Sequence, residues 1–172
     1  MERAAAGGTR RVERLWAPWR LEYIVAERTE GCIFCLFAGQ DDDESNRVLC
    51  RGEHAFVVMN AFPYSNGHLL VAPYRHVSAI GDLADGELLD IMSLVRRCCG
   101  VLDAACRPDG YNVGFNIGTA AGAGIADHVH VHVVPRWNGD TNFMPVLAET
   151  KVLPEALDVT YRKLRPGFET DD

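Results

Sequence analysis

No segment of the 172-residue sequence reaches the roughly 18 uninterrupted apolar residues that suggest a membrane span. The opening stretch, MERAAAGGTRRVERLW, mixes charges with small residues and lacks the apolar core of a secretory signal. These absences predict a cytoplasmic protein with no membrane attachment. Excess positive charge is missing too: 17 Lys and Arg face 24 Asp and Glu, for a formal net charge of −7. Such a chain has no general attraction for nucleic acid or anionic lipid, so any phosphate it binds must meet a local set of donors. No repeat and no linker calls for a second domain.

The chain does have enough apolar residues, 48%, to build an ordinary soluble core. Residues 1–12, rich in Ala, Gly and Arg, read as a flexible tail, and 13–172 as a single domain with a C-terminal extension. LWAPWRLEYI reads as a segment docked by its aromatics, and the acidic run QDDDESN (40–46) as a solvated loop. HAFVVMN (54–60) and GHLLVAPY (67–74) are strand-like and flank the turn chemistry of AFPYSN, which predicts an antiparallel hairpin. Residues 85–106 follow a helical period through Leu88, Met92, Val95, Cys99 and Leu102, with Asp85 or Asp82 as the expected cap. YNVGFNIG (111–118) reads as a further strand, and a short helix is expected from Pro154 to about Leu164. Together these predict an α+β fold: a mainly antiparallel sheet of about five strands, one long helix and a short C-terminal helix.

Histidine is scarce, with six in the chain, yet three of them alternate in HVHVHVV (128–134). In a strand, His128, His130 and His132 share one face at a spacing of roughly 6.6–7 Å, while Val129, Val131 and Val133 fill the other. A row of imidazoles can ligate a metal, shuttle protons or attack an electrophile. The preceding AGAGIAD (121–127) can bring backbone N–H groups close to an anion. A nucleophile beside an anion-binding turn points to phosphoryl chemistry.

HVHVHVV resembles the signature of the histidine-triad (HIT) superfamily of nucleotide hydrolases and transferases. The likeness extends in order through CIFCLFAG, VVMNAFPYSNGHLLVAPYRHV, YNVGFNIG and HVHVHVVPRWNGD, over roughly residues 31–140. The resemblance implies a HIT-like fold in which His130 attacks the α-phosphorus of a nucleotide and forms a nucleotidyl-histidine. His132 and His68 would orient and tune it. Asn60 would meet the ribose, and Ile33, Phe34 and Phe37 would wall the base, with plain core packing as the competing reading of the phenylalanines. Asn116 with the Gly122–Gly124 turn would cradle phosphate; Asn116 also reads as a strand-end residue. Many relatives carry a polar triplet where this chain has GAGIAD, so phosphate contacts would lean on backbone N–H groups.

Cys32 and Cys35 form a CxxC, which alone fits a redox pair, two buried thiols or half of a metal site. The other cysteines, Cys50, Cys98, Cys99 and Cys106, read as small hydrophobes or thiols. The family likeness implies a structural Zn²⁺ on Cys32, Cys35, His76 and His128, with His54 as the rival ligand.

The C-terminal VVPRWNGDTNFMPVL and the N-terminal LWAPWR look most like bacterial members that cleave dinucleoside polyphosphates such as diadenosine tetraphosphate. Phosphate or water would take the adenylyl group, and no organic cofactor is implied. The alternatives are a nucleoside phosphoramidate hydrolase and a non-catalytic zinc-containing nucleotide-binding module. Relatives commonly form homodimers through the long helix and an edge strand, so a homodimer with a nucleotide ligand and no nucleic-acid partner is expected.

Overall fold

β2 (Ala55–Met59) and β3 (Leu69–Pro73) run through the middle of the molecule, and both are buried at every position in a computed structural model of the chain. The structure describes residues 31–140 and 155–169. The expected tail at 1–12, the LWAPWRLEYI segment and Pro154 lie outside the described residues. The two strands pair antiparallel from Ala55↔Pro73 to Met59↔Leu69, as their apolar runs predict. Burial on both faces explains why they are apolar throughout instead of alternating.

Flanking them are β1 (Val48–Arg51), β4 (Gly110–Phe115) and β5 (Val131–Arg136). The five strands form one antiparallel sheet in the order β1-β2-β3-β5-β4. The short helices α1 (Ile33–Gly39) and α2 (Asp43–Asn46) precede β1. The long helix α3 (Asp85–Cys106) crosses one face, and α4 (Leu157–Leu164) packs beside it.

Strand alternation divides the core. Ala55, Val57, Met59, Leu69, Val71, Val129, Val131 and Val133 face α3 and meet Ile91, Leu94, Val95, Cys98 and Leu102. On the other face, Phe56, Val58, Leu70 and Ala72 pack with Phe34 of α1. Truncating a buried Leu or Ile of this kind costs about 2–5 kcal/mol. The histidine face of β5 is this second face, because Leu70 stands opposite His132 in register.

Four sequence expectations change. The buried stripe of α3 runs through Glu87, Ile91, Leu94, Val95, Cys98 and Leu102, and Met92 is 54% exposed. The period is helical, but the face is turned by about one residue. Neither Asp85 nor Asp82 caps α3; Ala84 occupies the N-cap, and Glu87 reaches back to accept its N–H at 2.7 Å. That carboxylate also pairs with Arg75 at 2.6 Å, and this pairing, followed by the Ala84 N–H, holds its pKa down at about 2.

The acidic run is more than a loop. Asp42 caps α2 through Ser45 N–H at 3.4 Å, and Asp43 pairs with Arg51 at 2.8 Å. Arg51 also donates to the carbonyls of Phe37 and Gln40, tying down the C-terminal end of α1. Finally, β5 begins at Val131 and continues to Arg136, so His128 and His130 approach the sheet just ahead of the ladder. Val129 N–H is taken by Val77 C=O at 2.7 Å, which preserves the alternation upstream of the strand.

Candidate active site and metal centre

His130 sits at the point where the chain enters β5, 4% exposed, packed against the ring of Phe34 at 4.9 Å between centroids. Its Nδ1 lies 2.8 Å from the carbonyl oxygen of His128. A carbonyl can only accept, so Nδ1 carries the proton and Nε2 keeps a lone pair. Burial pushes the pKa of His130 down, and the bond to the His128 carbonyl opposes that shift only partly. The result is a neutral imidazole with its nucleophilic nitrogen set by the backbone.

His132 stands next to it, with ring centroids 4.9 Å apart, and reaches His68 by an Nδ1···Nε2 contact of 3.0 Å. The proton positions follow from the loop that joins β2 to β3. His68 Nδ1 faces the main-chain N–H of Tyr64 at 3.0 Å and the side-chain amide of Asn60 at 3.3 Å. Asn60 Oδ1 accepts from Phe62 N–H at 2.9 Å, which turns its NH₂ toward His68. With donors on that side, His68 Nδ1 must accept, so its proton is on Nε2 and points at His132 Nδ1. With Nδ1 accepting from His68, His132 carries its proton on Nε2; the Asn116 amide nitrogen stands 3.2 Å from that atom, so the amide must turn its oxygen there to accept. Burial, followed by the proximity of His130, lowers the pKa of His132 to about 4. His130 and His132 are therefore neutral near pH 7.

The remaining sequence-predicted residues fall around this row unevenly. Phe34 is 1% exposed and packs against both His128 and His130, so it is a floor beneath the histidines. Ile33 is more open at 36%, and Phe37 is half-buried against the same cluster. Gly122 ends a 3₁₀ turn (Thr119–Ala121) at φ 82°, ψ 20°, a left-handed conformation suited to glycine. Its N–H is used inside that turn, donating to Thr119 C=O at 3.0 Å. Gly124 follows two residues later on the path to His128.

Cys32, Cys35, His76 and His128 converge, with one ligand-type atom from each lying within 4.8 Å of all the others. Cys32 Sγ is 3.2 Å from His128 Nδ1, and Cys35 Sγ is 3.3 Å from His76 Nδ1 and 3.7 Å from His128 Nδ1. A tetrahedral ion with bonds of roughly 2.0 Å to N and 2.3 Å to S would need such edges to be about 3.3–3.8 Å. The donor set and its spacing therefore fit a metal ion, and His54 is not in the group. His128 Nε2–H donates to the carbonyl of Pro73 at 2.9 Å, which directs Nδ1 toward the cysteines.

Two participants had no assigned role in the sequence. Tyr64 stacks on His132 with centroids 5.7 Å apart and planes at 15°, and lies 4.7 Å from the ring of His68. Its only signal was an aromatic four residues before His68 in PYSNGH. The Pro73 carbonyl had none, because any residue supplies a carbonyl.

Comparison with known proteins identifies the family. The model of the HIT domain matches residues 42–139. The AP-4-A phosphorylase of Mycobacterium tuberculosis is 40% identical over 162 residues, covering 89% of this chain and 83% of that protein. An asymmetrical bis(5'-nucleosyl)-tetraphosphatase from Schizosaccharomyces pombe is 34% identical over 95 residues, covering 55% of this chain and 52% of that protein. Among solved structures, a zinc-bound histidine triad family protein from Mycobacterium smegmatis superposes with a TM-score of 0.64 at 24% identity, covering 81% of this chain and 94% of that one. The domain match spans more than half of the sequence and includes the whole histidine row: the chain belongs to the HIT family.

Proposed function

We propose that this protein cleaves dinucleoside polyphosphates such as diadenosine tetraphosphate through a covalent adenylyl-His130. The observation that carries the proposal is the 2.8 Å bond from His130 Nδ1–H to the His128 carbonyl, which leaves a neutral Nε2 lone pair in a buried site. In the first step Nε2 attacks the α-phosphorus, the P–N bond forms, and the bond to the bridging oxygen breaks. The departing nucleoside polyphosphate leaves as its anion with the electron pair, and His130 keeps its Nδ1 proton as the adenylylated imidazolium. Donation to a phosphoryl oxygen is assigned to His132 Nε2–H, with His68 supporting that tautomer through its 3.0 Å contact. In the second step an acceptor attacks the same phosphorus and releases His130. Phosphate as acceptor yields ADP, and water yields AMP. The 40% identity to a phosphorylase over 89% of the chain favours phosphate.

Asn60 is assigned to the ribose and Asn116 to the phosphate side of the row. Ile33 and Phe37 are assigned to the base wall, with Phe34 supporting them from below. Because the Gly122 N–H is consumed in its own turn, the phosphate contacts of this segment are assigned to Gly124 and the residues after it. The Cys₂His₂ group is assigned to structural Zn²⁺, a closed site that would fasten α1 to the approach of β5. With all four ligands engaged, zinc there would fasten the fold and would not act on the substrate. A homodimer is proposed on the edge strand β4 and the outer face of α3, where Val113, Leu89 and Met92 are 46%, 71% and 54% exposed. Residence in a reducing cytoplasm accords with six cysteines that are all free thiols.

The test is product analysis with diadenosine tetraphosphate, with and without inorganic phosphate. ADP and ATP formed only with phosphate identify a phosphorylase, and AMP and ATP formed regardless identify a hydrolase. No turnover of that substrate, combined with cleavage of an adenosine phosphoramidate, would replace this reading.

A further inference from the structure

The 60–68 loop does more than connect two strands. Its two ends are joined by Asn60 N–H to His68 C=O at 3.0 Å. Near its C-terminal end, Asn66 donates to Glu155 at 3.3 Å and accepts from Thr160 at 3.3 Å, at the start of α4. Gly67 at φ 75° lets the chain turn into β3 against Leu102. Between these anchors sits Tyr64, 50% exposed, so filling the core does not account for where its ring lies. The ring instead lies nearly parallel to His132 and tilted against His68, and the same residue's amide donates to His68 Nδ1.

We propose that Tyr64 is a positioning residue: its amide sets the proton of His68, and its ring clamps the His68–His132 pair in the tautomer the reaction uses. The role rests on the reading of His130 as nucleophile, but the proton arrangement it enforces belongs to the resting protein. If the ring is lost, the loop loses the stack that keeps the amide aimed at Nδ1. His68 can then carry its proton on either nitrogen, and His132 follows. An imidazole with its Nε2 unprotonated has nothing to donate to a phosphoryl oxygen.

Two variants test this, Tyr64→Leu and Tyr64→Phe, each read by turnover of diadenosine tetraphosphate and by ¹⁵N chemical shifts of the labelled imidazoles without substrate. The expected result for Tyr64→Leu is a fall in kcat of roughly 10-fold, with KM changed by less than about 3-fold. Its His68 and His132 shifts should move from a single neutral tautomer to averaged values. Tyr64→Phe, which keeps the stack, should recover kcat to within about 3-fold of wild type and restore the single tautomer. A Tyr64→Leu protein with wild-type shifts overturns the proposal, as does a Tyr64→Phe protein as impaired as Tyr64→Leu. A rise in KM alone would make Tyr64 a substrate contact, which also overturns it. If the wild type does not turn over this substrate, the reading of the reaction fails, while the ¹⁵N shifts still decide the role of Tyr64. If Tyr64→Leu does not fold, Tyr64→Met is read by the same shifts and the same criteria.

Discussion

The carbonyl of His128 accepts the Nδ1 proton of His130 at 2.8 Å, while the side chain of the same His128 turns its Nδ1 to Cys32 at 3.2 Å. One residue thus faces the metal-type cluster with its imidazole and orients the candidate nucleophile with its backbone. Phe34, from within the CxxC, packs on both rings and reinforces the link. A metal bound at this cluster, two residues from the candidate nucleophile, would hold the proposed reactive site in place without entering the chemistry.

Loss of a ligand from the cluster should therefore appear as lost stability. The purified protein is expected to carry about one zinc per chain. Cys32→Ser should lose most of it and melt about 10 °C or more below wild type, since several kcal/mol of metal-linked folding energy are forfeited. Elemental analysis and thermal denaturation check this. An unchanged melting temperature in a zinc-free variant would remove the metal from the account.

The pKa of His132 has a consequence for stability. Its folded value of about 4 lies below the ordinary histidine value, chiefly through burial and then through His130. Between about pH 6.5 and 4 the unfolded chain binds a proton that the folded chain does not. Stability should thus be fully present near pH 7 and fall as the pH is lowered through that window, by up to about 3 kcal/mol for this residue. Urea denaturation at pH 7 and pH 5 should show the loss, and His132→Gln should show a smaller one. Greater stability at pH 5 would contradict the placement of His132.

Gly67 offers a local probe of the loop. Its φ is 75°, and a Cβ there would sit 3.1 Å from Leu102 Cδ2. Gly67→Ala is expected to cost about 1–3 kcal/mol through backbone strain and crowding. The same change at Gly110, where nothing lies within 4 Å and φ is not in the positive range, should cost much less. Denaturant midpoints of the two variants separate these outcomes.

Much of the fold could be read before the structure because its signals are local. The apolar runs of β2 and β3 and the helical period of α3 need no partner to be recognised. β1 carries a weak signal, because VLCR is only four residues long and follows an acidic run whose Asp43 meets its partner Arg51 only in the fold. Met92 looked like core because periodicity fixes a helix but not the angle at which it meets the sheet. In the site, alternation placed His128, His130 and His132 on one face, and the family likeness brought Cys32, Cys35, His76 and His68 to them. Tyr64 was out of reach, since its stacking on His132 is set by a loop whose anchors lie at Asn60 and Glu155. The tautomers were equally hidden, because backbone groups decide them.

The most direct test of the central claim is to trap the intermediate. Protein mixed briefly with diadenosine tetraphosphate and quenched in alkali, where a phosphoramidate survives, can be weighed intact and then mapped by peptide. The account predicts one added adenylyl group on His130, absent from His130→Ala, whose turnover should fall by roughly 10⁴-fold or more, as expected for a lost covalent nucleophile. Steady turnover by His130→Ala, or an adenylyl group carried by another residue, would contradict it.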